Sequence, residues 1–242
     1  MSVQVAYDEN LQLFDPVKHT LYPSVTGTSV VALKYNSGVV IASDNLLHYG
    51  SLAKYCGVPR MFPVNKNAVM ACTGDIADYQ FIKSTVDSMD LDDELTGDNF
   101  RLSANGMHSW ITRVLYNRRS KFNPLFNVFI TGGLTNEGAP FLGYTNMLGI
   151  AFKDDCMSTG FGAHLAVPIL RKCLEEANGY ENLSLEAAQS AIIQAIRVLY
   201  YRDCRAFNHY DIAVIDKNGI DLKNNVKLET NWDVAEYVHG YE

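Results

Sequence analysis

Three side chains near the N-terminal end could do chemistry together: Thr28, directly after Gly27, then Asp44, then Arg60. Each follows the last by sixteen residues. They would supply a hydroxyl for attack, a carboxylate for proton handling and a permanent cation. Taken alone the set is ordinary, because a β-branched residue at the mouth of a strand belongs there. Asp44 and Arg60 are expected to form a buried ion pair, which is structural and does not by itself imply catalysis. Other candidates are weaker. His108 and His164 fall inside helical periods and read as packing residues, not metal ligands. Cys72 and Cys204 have neither a histidine nor a helix N-terminus evident in sequence to lower a thiol pKa, and also read as packing. The run Asp87, Asp90, Asp92, Asp93 and Glu94 lacks the glycine turn and the spacing of an EF-hand, so it reads as a solvated acidic loop. No metal site and no cofactor is expected.

The elements that must position Thr28, Asp44 and Arg60 are visible in the apolar pattern. Thr28 to Tyr35 and Val39 to Ala42 are two β-branched runs joined by the turn Asn36-Ser37-Gly38, a hairpin signature. Met61 to Val64 and Ala68 to Thr73 repeat it around Asn65-Lys66-Asn67. Helical spacing follows over Asp75 to Met89, and again through Met107, Ile111, Val114 and Leu115, with Ser103 as N-cap. Strands return at Phe126 to Leu134 and Phe141 to Asn146. Helices return at His164 to Ala177 and, after the cap Ser184, at Leu185 to Tyr201. Tyr210 to Ile215 and Val226 to Glu229 close the strand set, and Trp232 to Val238 reads as a short terminal helix. Strands grouped in hairpins favour antiparallel pairing, and strands apolar on both faces need covering layers. The economical solution is an α/β (α+β) fold: a four-layer α-β-β-α sandwich with a helix pair outside each of two sheets.

Composition bounds the function. The 242 residues suit one large domain, and 48% hydrophobic with 19% charged residues is globular and excludes a disordered chain. A net charge of −7 is the wrong sign for a phosphate-backbone binder, so no nucleic-acid partner is expected. No apolar run approaches a membrane span, and residues 1–27 lack the pattern of a secretory signal. Five cysteines, none closer than sixteen residues to another, give no metal knuckle and no disulfide framework, which favours a reducing compartment. Residues 1–27 read as an extension, 28–230 as the domain and 231–242 as a terminal helix or tail.

A resemblance sharpens this. Gly27-Thr28, Lys34-Tyr35, Gly38-Val39-Val40-Ile41-Ala42-Ser43-Asp44, Gly50-Ser51, Thr73-Gly74-Asp75 and Tyr200-Tyr201-Arg202-Asp203 resemble, in order, the core of proteasome beta subunits. Tyr116-Asn117-Arg118-Arg119-Ser120-Lys121, Thr159-Gly160-Phe161-Gly162-Ala163 and Thr230-Asn231-Trp232-Asp233 narrow it to the branch that fills the seventh position of the eukaryotic beta ring. The resemblance covers residues 26 to 242 and implies the N-terminal nucleophile hydrolase fold. Active members cleave after a glycine, so that threonine becomes the first residue; its hydroxyl attacks and its new amine is the base. On that pattern Thr28 matches the nucleophile, Gly27 the residue before the junction, Asp44 the first aspartate, Gly74 the oxyanion glycine and Asp203 the second aspartate.

Four positions depart. Arg60 stands for the lysine and cannot usefully exchange protons. Phe161 and Ala206 stand for the two serines, and His48 stands where a hydroxyl usually meets the substrate backbone. The resemblance therefore implies a catalytically silent structural subunit. It would sit in a 28-subunit α7β7β7α7 particle in cytoplasm and nucleus, serving ubiquitin-dependent and ubiquitin-independent degradation. Interface candidates are Arg118, Arg119, Lys121, Trp232, Tyr237 and Tyr241. Two rivals remain: an active, self-processing threonine endopeptidase with Thr28 as nucleophile, and a free-standing amidohydrolase.

Overall fold

The computed structural model describes residues 22–97 and 101–233. The strands are β1 (Val25–Gly27), β2 (Val30–Tyr35), β3 (Gly38–Asp44), β4 (Leu46–Tyr49), β5 (Leu52–Cys56), β6 (Met61–Asn65) and β7 (Ala68–Asp75). Two long helices, α1 (Ile76–Thr96) and α2 (Ala104–Ser120), come next. Then follow β8 (Asn127–Leu134), β9 (Pro140–Thr145), β10 (Ala151–Lys153) and β11 (Cys156–Ser158). The helices α3 (Gly162–Leu165), α4 (Val167–Glu176) and α5 (Leu185–Arg202) precede the last hairpin, β12 (His209–Asp216) and β13 (Gly219–Lys227).

The strands form two antiparallel sheets, as the hairpin grouping requires. One runs β10-β9-β8-β7-β1-β4-β5, with β6 also paired to β7; the other runs β11-β2-β3-β12-β13. Strand alternation sends successive side chains to opposite faces, and the packing follows it. Val30, Ala32, Val39 and Ile41 face the other sheet's Val69, Ala71, Ile130 and Leu142. Their neighbours Val31, Leu33, Val40 and Ala42 face α4 and α5. On α5, Ala188, Ala191, Ile192, Ala195, Ile196 and Leu199 recur every three or four residues and bury one stripe. The outer face of the larger sheet is covered by Tyr79, Ile82 and Val86 of α1 and Met107, Ile111 and Leu115 of α2. The result is the α-β-β-α sandwich expected. Among the described residues no helix is long and apolar enough to cross a membrane.

Helix ends follow their capping chemistry. Asp75 accepts the backbone N–H groups of Ala77 and Asp78 at the start of α1, Ser103 accepts Gly106 N–H, and Ser184 accepts Ala187 N–H. Several boundaries differ from the sequence reading. The acidic run at 87–94 is the last part of α1 and not a loop; the helix ends at Gly97, with φ 71° and its N–H on Glu94 O. Those acids occupy outward positions of a helix whose buried stripe ends at Val86. The single helix expected over 164–177 is two, α3 and α4, stepped at Ala166 before Pro168. The last strand begins at Gly219, straight after its turn, and not at Val226. It covers a sheet edge with a largely exposed, polar sequence, which hides it from an apolar pattern. Strands β4, β5, β10 and β11 are also unanticipated: β5 and β10 are exposed at every residue and end the larger sheet on opposite sides, while β4 and β11 are largely buried but only four and three residues long. Pairing also starts ahead of Thr28, since β1 lies within residues 22–27. Only Trp232 and Asp233 of the expected terminal helix are described, and of these Asp233 is helical.

Candidate functional site

Thr28 sits between β1 and β2, where the chain passes from the larger sheet to the smaller. Its hydroxyl donates to Asp44 Oδ1 at 3.1 Å. Asp44 ends β3, which pairs with β2, so the hairpin read from the sequence is what brings the two together. Arg60, just ahead of β6, is 2% exposed and spends all five of its N–H donors on fixed acceptors. Nε donates to Asp44 O at 3.0 Å; Nη1 donates to Thr28 O at 2.8 Å and Cys72 O at 2.9 Å. Nη2 donates to Ser29 O at 2.9 Å and forms the ion pair with Asp44 Oδ1. This is the buried ion pair expected, extended by four backbone carbonyls. A guanidinium is the one side chain with enough donors in a fixed fork to do this.

The stem of Arg60 explains Gly27. A Cβ built on Gly27 would lie 2.2 Å from Arg60 Cδ, so only glycine lets the side chain cross the junction. Gly27 also lies in β1, between two neighbours. Gly27 faces Gly74 and Thr26 faces Asp75 on β7, while Thr26 faces His48 and Gly27 faces Leu47 on β4. The strand that carries the proposed oxyanion glycine is thus paired with the chain's own residues. Gly74 has φ 109°, and a Cβ there would meet Phe126 O at 2.1 Å. Its glycine is required by backbone shape and close approach alike.

A chain of hydroxyls not singled out in the sequence reading completes the surroundings. Val30 N–H donates to Thr159 Oγ1 at 2.8 Å, the Thr159 and Thr73 hydroxyls share a hydrogen bond, and Thr73 Oγ1 donates to Thr28 O at 2.7 Å. The signal available was a threonine directly before a glycine at each strand end, Thr73-Gly74 and Thr159-Gly160. Thr28 O therefore receives two donors, one from Thr73 and one from Arg60. Ser29 Oγ accepts Gly162 N–H at 3.0 Å.

Asp203 caps the end of α5 and accepts Arg205 N–H at 2.9 Å. It lines a small cavity together with Thr28, Ser29, Asp44 and Ala206. The volume there is about 10 Å³, the size of one water, against ~300–1,000 Å³ for a small-molecule pocket. Phe161 does not line that cavity. It stands 63% exposed at the start of α3, between Gly160 and Gly162. Its ring is directed to the surface and does not fill the site. Burial pushes the Asp44 carboxyl above the usual carboxylate range, opposed by Arg60 and then by the Thr28 hydroxyl. Burial, and next the Arg205 charge, holds His48 below the ordinary histidine value. Cys72 is buried and its thiol is pushed up by desolvation, as suits a packing residue. Cys204, expected to pack, is exposed, because it sits in the turn that follows α5.

The remaining candidates lie elsewhere. His108 is on the buried face of α2 and meets Thr145 through Nδ1 at 3.2 Å, while His164 is in α3. Arg118 and Arg119 occupy the last turn of α2, over the Phe81 and Tyr116 rings at 5.7 and 5.8 Å, with Lys121 exposed just beyond. Trp232 packs edge-on against Tyr200 and Tyr201 of the chain's own α5, leaving half its surface exposed. Tyr237 and Tyr241 lie outside the described residues. No group of three or more His, Cys, Asp or Glu suited to a metal occurs among the described residues.

Comparison with known proteins places this geometry. The family model described as proteasome subunit matches residues 24–215. Proteasome subunit beta type-4 of Xenopus laevis is 45% identical over 227 residues, covering 94% of this chain and 92% of that protein. Proteasome subunit beta type-7 of Saccharomyces cerevisiae is 41% identical, covering 93% and 87%. Proteasome subunit beta type-4 of Arabidopsis thaliana is 39% identical, covering 98% and 91%. With its sandwich, its Gly27-Thr28 junction and these matches across nearly its whole length, the chain belongs to the proteasome subunit family.

Proposed function

We propose that the chain is a non-catalytic beta subunit of the proteasome core particle, which serves protein degradation by occupying a ring position. The observation that carries this reading is the state of Arg60. Where a proton-exchanging ammonium would stand, every donor is committed to a backbone carbonyl or to Asp44, in a cluster that is 2% exposed at its centre. Nucleophilic attack by a threonine needs a base beside it. Arg60 offers donors only, Asp44 is held in the ion pair, and Ala206 and Phe161 bring no hydroxyl. The place between β7 and β4 is taken by the chain's own β1, paired to both, which supports the same reading.

On this proposal Thr28 retains its peptide bond to Gly27, and partners are the alpha and beta subunits of an α7β7β7α7 particle in cytoplasm and nucleus. Arg118, Arg119, Lys121 and the tail from Trp232 are offered as subunit contacts. The test is the N-terminal sequence and intact mass of the chain taken from purified particles, with labelling by a threonine-directed electrophile. A chain that begins ahead of Thr28 and takes no label is expected. A chain that begins at Thr28 and is labelled there would make it a working endopeptidase.

A further inference from the structure

The cavity beside Thr28 contains an unmet hydrogen-bonding demand. Asp44 is 6% exposed, and while its Oδ1 is engaged by Thr28 and Arg60, its Oδ2 is buried without a partner. A buried carboxylate oxygen left unpaired is strongly disfavoured. Asp44 lines the cavity of about 10 Å³, and so do the buried Asp203 carboxylate and the buried Ser29. Ser29 Oγ accepts Gly162 N–H and keeps its own proton to give. The rest of the lining adds the hydroxyls of Thr28 and Ser43, the latter also buried without a partner, to the apolar Val31, Ala42, Ile196 and Leu199.

We propose that this cavity is a binding site for one ordered water molecule, which donates to Asp44 Oδ2 and to the Asp203 carboxylate and accepts from Ser29. The space matches one water, and three polar partners are the usual number for a buried one. The two carboxylates and the Thr28, Ser29 and Ser43 hydroxyls line a space for one guest, and the Asp44 charge is already met by Arg60, which favours a neutral water over a cation. The water has a structural task. It completes the coordination of Asp44, so that the carboxylate stays charged opposite Arg60 despite its burial, and it links the end of β3 to the turn after α5. The site stands apart from whether Thr28 reacts.

The test is a high-resolution crystal structure of the assembled particle containing this chain, grown with rubidium chloride as the alkali salt. A density peak within hydrogen-bonding distance of Asp44 Oδ2, without anomalous signal, is expected. An empty cavity overturns the proposal, and so does an anomalous peak, which would make the guest a monovalent cation. A second route uses Ala206→Val, which adds bulk to the lining, and Ala206→Ser, which adds a hydroxyl able to stand in for the water. The valine variant is expected to lower the particle's thermal midpoint by more than the serine variant. An unchanged or raised midpoint in Ala206→Val would mean a dry cavity and would also overturn it.

Discussion

Two buried polar clusters hold this molecule together, and they do so by different means. At the junction of the sheets, Arg60 binds β3, β7 and the segment between β1 and β2 at once through a charge and five donors. Beneath α2, the other cluster is neutral. Thr112 Oγ1 donates to His108 O at 2.7 Å and meets Thr145 Oγ1 at 3.0 Å, and Thr145 Oγ1 meets His108 Nδ1 at 3.2 Å. The His108 ring lies so close to Gly143 that a Cβ there would be 2.6 Å from Nδ1. The first cluster spends most of its bonds on carbonyls that no other side chain could reach together. The second uses three replaceable groups to seat one helix on one strand. A cluster built around a charge is therefore the more brittle of the two, although both are equally hidden from solvent.

Arg60→Met is the strongest way to break that contrast. It leaves Asp44 buried and unpaired, and removing one member of a buried ion pair costs about 3–5 kcal/mol. Urea unfolding should show a loss of this order; a loss no larger than that of a neutral-cluster variant would end the distinction. Gly27→Ala comes next. The added methyl cannot coexist with Arg60 Cδ, and overpacking of this kind costs roughly 1–3 kcal/mol. Because the clash is with Arg60 itself, a double-mutant cycle with Arg60→Ala should show coupling, and additive losses would assign the glycine to some other cause. In the neutral cluster, Thr145→Val removes one hydroxyl and leaves His108 Nδ1 short of a partner, for about 1 kcal/mol in the same assay.

The pH dependence sharpens the comparison further. His108 is held below the ordinary histidine value by burial and then by Lys153, and His48 by burial and then by Arg205. The unfolded chain binds these protons more readily. Stability is thus full above the ordinary histidine value, about 6.5, and is lost as pH falls through and below it. Urea midpoints should fall between about pH 7.5 and about pH 5.5, with part of the slope absent in His108→Gln. The smallest effect expected is that of Trp232→Ala. It removes edge-on contacts with Tyr200 and Tyr201, of the kind worth ~0.5–1.5 kcal/mol, from a side chain only half covered.

What the sequence revealed divides along the same line. The hairpins at 28–44, 61–73 and 126–146 were legible because β-branched runs alternate with Asn- and Gly-bearing turns. The helices were legible because α2 and α5 repeat their apolar residues every three or four positions. Thr28, Asp44 and Arg60 could be named together from residue type and spacing, and family resemblance gave them roles. Their connection could not, since four of the five bonds of Arg60 end on backbone oxygens, which every residue possesses. β1 escaped because Val25-Thr26-Gly27 is too short to show a period. Phe161 was legible as a missing hydroxyl, but the direction of its ring, out to the surface, was not. The neutral cluster left no trace at all: a histidine and two threonines spread over 37 residues in sequence resemble any others.

The two open sides of the larger sheet have a cost for the cell. β5 and β10 each carry a row of backbone donors and acceptors with no neighbour among the described residues, flanked by exposed Leu52 and Tyr55 on one side and Ile150 and Phe152 on the other. Such margins invite further strands to add on, from any chain able to supply them. A surplus copy, made faster than the other subunits of its particle, is therefore a seed for clumping as well as an idle component. The fold itself sets a premium on balanced synthesis, and on prompt removal of whatever is left over.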